Sequence, residues 1–168
     1  MTIVFSILRF LHIIAGITWA GSALLMNLII GPAIGATGDA GRQFAGHLAT
    51  KTFFPKFMMI SAFTTVLAGS ALYGINSSWF SSGWMMTGPG IGFGIGAIAG
   101  IGALIFGFMI TKANGALAAL GAQIQGKPTD SQMAQMGELR KRQEFVVKAN
   151  TICMVISITM MASARFFG

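Results

Sequence analysis

Four long apolar stretches, separated by shorter polar ones, run along this chain and cover residues 3–34, 57–75, 90–110 and 146–167. Each approaches or exceeds the roughly 20 mostly apolar residues that carry a helix across hydrocarbon. The pattern therefore predicts an all-α, polytopic membrane protein, a four-transmembrane-helix bundle forming one domain over residues 1–168. The first stretch is expected to end at a break at Gly31-Pro32, because proline has no N–H for the helix ladder. It is too long for the apolar core of a secretory signal, and its early charge, Arg9, lies within it rather than ahead of it, so it is read as a retained span. The second stretch comes after an amphipathic segment at 41–56 and ends at Asn76-Ser77-Ser78-Trp79.

The polar connections are charged unequally. Residues 35–56 carry Arg42, Lys51 and Lys56, and Lys112, Lys127, Arg140, Lys141, Arg142 and Lys148 lie in and beside residues 111–145, whereas the connection between spans two and three has no charge. Basic loops stay in the cytoplasm, so residues 35–56 and 111–145 are expected there and both termini on the extracytoplasmic side. Trp79 and Trp84 suit the opposite interface, where amphipathic rings collect. The net charge of +7 is then orientation charge. It is not a basic face for nucleic acid, and the expected partner is the lipid bilayer. Thr129 and Gln132 have capping-box spacing, so a helix starts there and runs on into span four. Glu138 with Arg142, and Glu144 with Lys148, stand at i,i+4 and would each add a few tenths of a kcal/mol to that helix. Arg140-Lys141-Arg142 reads either as a contact for acidic lipid or a partner's acidic surface, or as a stop signal at the membrane face.

Composition agrees with lipid as the solvent: 54% of residues are apolar, 9% are charged and the mean hydropathy is +0.74. The lone cysteine, Cys153, sits in an apolar run and builds neither a disulfide framework nor a cysteine metal site within one chain. The glycines of span three resemble a nucleotide-binding loop only superficially, because no strand precedes them and no acid comes after. On a helix, Gly88, Gly92, Gly96 and Gly100 form one small-residue face where a neighbouring backbone, lipid, a partner or a flat cofactor can approach. Asn150, Cys153, Ser157 and Ala164 form a small and polar line on span four. The twelve methionines suggest copper(I), yet adjacent helical residues such as Met58-Met59 and Met160-Met161 point about 100° apart. Only Met85-Met86, in the outer connection, escapes that objection, and methionine also fills apolar cores.

His12 is the residue that most resembles chemistry, since an ionisable side chain inside a span marks a functional hypothesis. Arg9, Gly16 and Trp19 share its helix face. A histidine ligating haem iron needs a flat clearing beside it, which Gly16 supplies, and Arg9, one turn outward, suits a haem propionate. The alternative is that His12 hydrogen-bonds across the bundle while Arg9 snorkels to the interface. His47, the other histidine, lies on the amphipathic cytoplasmic segment with Phe44, Leu48 and Lys51, where a surface role is expected. About 20 residues at roughly 1.5 Å each separate His12 from the inner end of its span, so one chain does not place both histidines on one iron.

The run Leu11-His12-Ile13-Ile14-Ala15-Gly16-Ile17-Thr18-Trp19-Ala20-Gly21, with Pro32 further on, resembles the opening helix of CopD-like and DUF2269-like membrane proteins and, more distantly, the HemJ type. Those groups share a Leu-His start, a later Trp-x-Gly and a proline at the helix end. Phe54-Pro55-Lys56 leading to Leu67-Ala68-Gly69 is similar to their basic-proline entry and later glycine, and Arg165 fits their style. The resemblance covers about half of the chain. It implies a four-helix bundle in a bacterial or archaeal plasma membrane, with His12 as the ligand of haem b or a metal. The lysine that pairs with this histidine in the HemJ type has no counterpart in span three before Lys112.

Three functions are expected from these features. The first is a haem-binding or redox-associated subunit that carries electrons or holds a cofactor through Arg9, His12, Gly16 and Trp19. The second is a non-catalytic accessory subunit, homo-oligomeric or part of a larger membrane complex. The third is a small copper or metal transport protein. The acids Asp39, Asp130, Glu138 and Glu144 all fall in the cytoplasmic segments, which disfavours proton-coupled transport, and no catalytic constellation is present.

Overall fold

A computed structural model describes residues 2–81, 83–124 and 126–168, and every regular element among them is helical. Helix α1 (Thr2–Leu25) runs through a π turn (Met26–Ile30) into α2 (Gly31–Ala36), followed by α3 (Gly38–Lys51), α4 (Phe54–Asn76), α5 (Gly88–Gln123) and α6 (Asp130–Ser163), which ends in a 3-10 turn (Ala164–Phe166). Four helical segments are long and apolar enough to cross a membrane: Ile3–Ala36, Phe54–Asn76, Gly88–Gln123 and Asp130–Phe166.

The expected break at Gly31-Pro32 does not occur. The π turn directly before the proline widens the helix, and the Gly31 N–H reaches back five residues to the Met26 carbonyl. Pro32 then falls in the first turn of α2, where a missing N–H is tolerated. The chain turns two residues after the end of α2, at Gly38, whose φ of +58° is left-handed and suits glycine. Gly41 then closes against the Ile34 carbonyl, where a Cβ would overlap it.

The two basic connections are largely helical. Residues 38–51 form α3, with Asp39 in its first turn and Lys51 in its last, both favourable to the helix dipole. The helix of span three does not stop at residue 110, because α5 continues to Gln123 over 36 residues. At about 1.5 Å per residue it is roughly 54 Å long, well beyond the about 30 Å of a hydrocarbon core. The capping box forms as expected: the Gln132 N–H donates to Thr129 Oγ1 at 3.2 Å, and the Thr129 N–H donates to Gln132 Oε1 at 2.9 Å. The extended ends of α5 and α6 run together, and Gln143 Nε2 donates to Asn114 Oδ1 at 2.6 Å. Glu138 pairs with Lys141 at i+3, at 2.9 Å, rather than with Arg142. Its hydrogen bond and negative charge hold the exposed Lys141 ammonium above the ordinary lysine range.

Two intimate helix pairs make up the bundle, α1 along α4 and α5 along α6, and they touch each other more sparsely. Trp19 and Ala23 of α1, Ala62 of α4, Ala103 of α5 and Met154 of α6 meet in the core. The glycine face of span three is used within the chain: Gly92 lies against Ala164 and Phe167, Gly96 against Met160 and Met161, and Gly100 against Ser157. The neighbouring backbone expected at Gly92, Gly96 and Gly100 is that of α6 and the turn after it, where small residues let the backbones approach. Trp84 is likewise half-buried, edge-on to Tyr73 at 5.4 Å and stacked on Phe93 at 6.4 Å. Trp79 and Phe80 are exposed rings of that connection.

A buried amide ties the pairs together. Asn150 Nδ2 donates to the Ala103 carbonyl at 2.7 Å, and Asn27 Nδ2 in the π turn donates to Asn150 Oδ1 at 2.9 Å and Thr151 Oγ1 at 3.1 Å. Asn150→Leu is expected to lower unfolding stability by about 1–2 kcal/mol, since it removes one of the two acceptors of the Asn27 amide and the donor to the Ala103 carbonyl. Equilibrium unfolding in mixed micelles measures this, and an unchanged midpoint contradicts the tie.

Candidate functional site

Helix α4 carries Ser61, Thr65 and Gly69 at four-residue intervals, a face of small side chains on which α1 lies closely. Thr18 Oγ1 donates to Ser61 Oγ at 3.2 Å, and Thr65 Oγ1 donates to the Ser61 carbonyl at 2.7 Å. His12 lies on the same seam, with its Nδ1 2.8 Å from the Thr65 carbonyl oxygen. A carbonyl only accepts, so Nδ1 carries the proton. In the neutral ring Nε2 then bears the lone pair, and no hydrogen-bond partner meets it among the described residues. The ring also lies over Gly69, where an added Cβ would come within 2.7 Å of Cε1 and 2.8 Å of Nδ1.

Metal-ligating histidines are commonly held in this way, with the remote N–H on a carbonyl that fixes tautomer and ring orientation. The donor chemistry of His12 therefore fits haem iron or another metal. The clearing at Gly16 does not, because a Cβ added there would already meet Thr65 Cγ2 at 3.5 Å. A porphyrin does not fit into the α1–α4 seam at that glycine, so it would have to meet Nε2 from outside the pair. Trp19 is 7% exposed and belongs to the core rather than to an open site. Arg9 is exposed on the His12 face and pairs with no acid among the described residues. His47 is exposed on α3, and Arg140, Lys141 and Arg142 lie on the solvated stretch of α6, Arg140 and Arg142 among its exposed or half-exposed positions. Among the described residues no three His, Cys, Asp or Glu side chains come together as a metal group.

No protein-family model, curated protein or solved structure matches this chain. The sequence pointed to His12, and to Gly69 only through the resemblance, and it missed Thr65 and Asn27. The four-residue spacing of Ser61, Thr65 and Gly69 was a readable signal, as was a lone amide at Asn27 within an apolar run.

Gly69→Ala places a methyl group where the His12 ring lies, whereas Gly16→Ala meets Thr65 at ordinary contact distance. The first is expected to displace the ring and lose the hydrogen-bonded Nδ1–H signal in 15N NMR of labelled histidine; the second keeps it. Retention of that signal in Gly69→Ala contradicts the packing described.

Proposed function

We propose that this chain is a multi-pass membrane protein whose His12 holds haem b or a related metal centre as part of a redox or cofactor-holding subunit. The observation that carries the reading is the Nδ1 contact to the Thr65 carbonyl, which leaves the Nε2 lone pair without a partner among the described residues. A bound haem would supply a one-electron acceptor and donor. The protein's own part is positional: Thr65 orients the imidazole, Gly69 gives it room, and Arg9 brings a positive charge to the same face for a propionate or phosphate. The resemblance of the opening helix to CopD-like proteins supports the same assignment.

No group of three His, Cys, Asp or Glu side chains forms among the described residues, so a second ligand would be a methionine, a lysine or a histidine of another chain, or none. A non-catalytic accessory role is the second reading, favoured by the outward apolar row Ile3, Ile7, Phe10, Ile14 and Ile17 on α1. Both readings place the basic ends of α5 and α6, with α3, in the cytoplasm, and both termini on the other side.

A reduced-minus-oxidised optical spectrum tests the first reading. A haem Soret difference is expected in the wild type and in His47→Ala and is lost in His12→Ala; its absence from wild-type protein and from its native complex refutes the reading. For orientation, cysteine introduced as Ser78→Cys should react with an impermeant thiol reagent in intact cells, and Ser131→Cys only after permeabilisation. The reverse pattern inverts the topology.

A further inference from the structure

The hydrogen bonds around the π turn assign themselves. The Ala103 carbonyl only accepts, which fixes Nδ2 of Asn150 towards it and turns Asn150 Oδ1 to Asn27. Asn27 must then present Nδ2 to Asn150, which leaves its own Oδ1 without a partner among the described residues. The backbone oxygen of Asn27 is deprived as well. Its usual donor four residues on, the Gly31 N–H, is committed to Met26, and the donor five residues on would be Pro32, which has none. Two acceptor oxygens of one half-buried residue thus lack donors within a continuous apolar helix, flanked by Leu24, Leu25, Leu28 and Ile29.

Such acceptors are expensive to leave unpaired in hydrocarbon. We infer that the π turn of span one is a binding notch for a neutral hydrogen-bond donor, a water molecule held by the Oδ1 and backbone carbonyl of Asn27. Both oxygens are uncharged, and two are too few for a metal cation, whose oxygen sites gather about six; an internal water is stable with 2–4 partners. The notch rests on the membrane placement of span one but not on haem. π turns recur at functional positions in helices, and here the turn lets the helix pass a proline while offering a polar foothold beside the junction of three helices.

Water-edited solid-state NMR of uniformly labelled protein in lipid bilayers tests this. Polarisation from water should reach Asn27 Cγ and its carbonyl carbon as fast as it reaches residues of the exposed end of α6, while Leu24 and Ile30 remain slow. In Pro32→Ala, which restores an N–H, transfer to the Asn27 carbonyl should fall. Transfer to Asn27 as slow as to Leu24 and Ile30 overturns the notch. Fast transfer to all of them overturns instead the membrane placement on which it rests.

Discussion

Hydrocarbon offers no hydrogen-bond partner, and every polar group a spanning helix carries must find one in the protein. The side-chain bonds of this bundle answer that demand one by one. Thr18 reaches Ser61, Thr65 turns to the Ser61 carbonyl, and Tyr73 donates to the Gly90 carbonyl at 3.2 Å. Ser157 donates to the Gly96 carbonyl at 2.9 Å, and Asn150 joins the π turn to α5. The exceptions are therefore informative. Among the described residues, His12 Nε2, the Arg9 guanidinium and Asn27 Oδ1 are groups of the first span that meet no hydrogen-bond or ion-pair partner.

The π turn makes that distribution possible. One extra residue in a turn rotates the downstream helix by about 100°, which sets the face of α1 relative to that of α2. Above the turn, His12 and Gly16 face α4; at the turn, Asn27 faces α6. Along the helix these two contacts are about 22 Å apart at roughly 1.5 Å per residue. One helix thereby binds both pairs, with Trp19 between the contacts at the point where all four helices meet.

Much of this was legible in the sequence because hydropathy and charge act over whole segments. The four apolar segments, the capping box at Thr129 and the singular character of His12 all came from such signals. The break expected at Pro32 failed because a local change of helix type absorbs the proline, and a hydropathy pattern carries no trace of that. The capping box announced the helical start of α6 in the sequence, whereas the continuation of α5 beyond residue 110 to Gln123 was not read from it. The partner of His12 could not be read at all. It is a backbone carbonyl, which every residue possesses, so only the approach of α1 to α4 at Gly69 singles out Thr65.

Ligation of a metal centre by Nε2 of His12 is the central claim, and hyperfine spectroscopy reads that atom directly. The chain has two histidines, so His47→Gln protein labelled with 15N-histidine carries the label at His12 alone. In the oxidised protein isolated with its native complex, the expected result is a strongly coupled 15N from the iron-bound Nε2 and a weak one from the remote Nδ1–H. An iron centre without 15N coupling, or a complex with no paramagnetic centre, would contradict it.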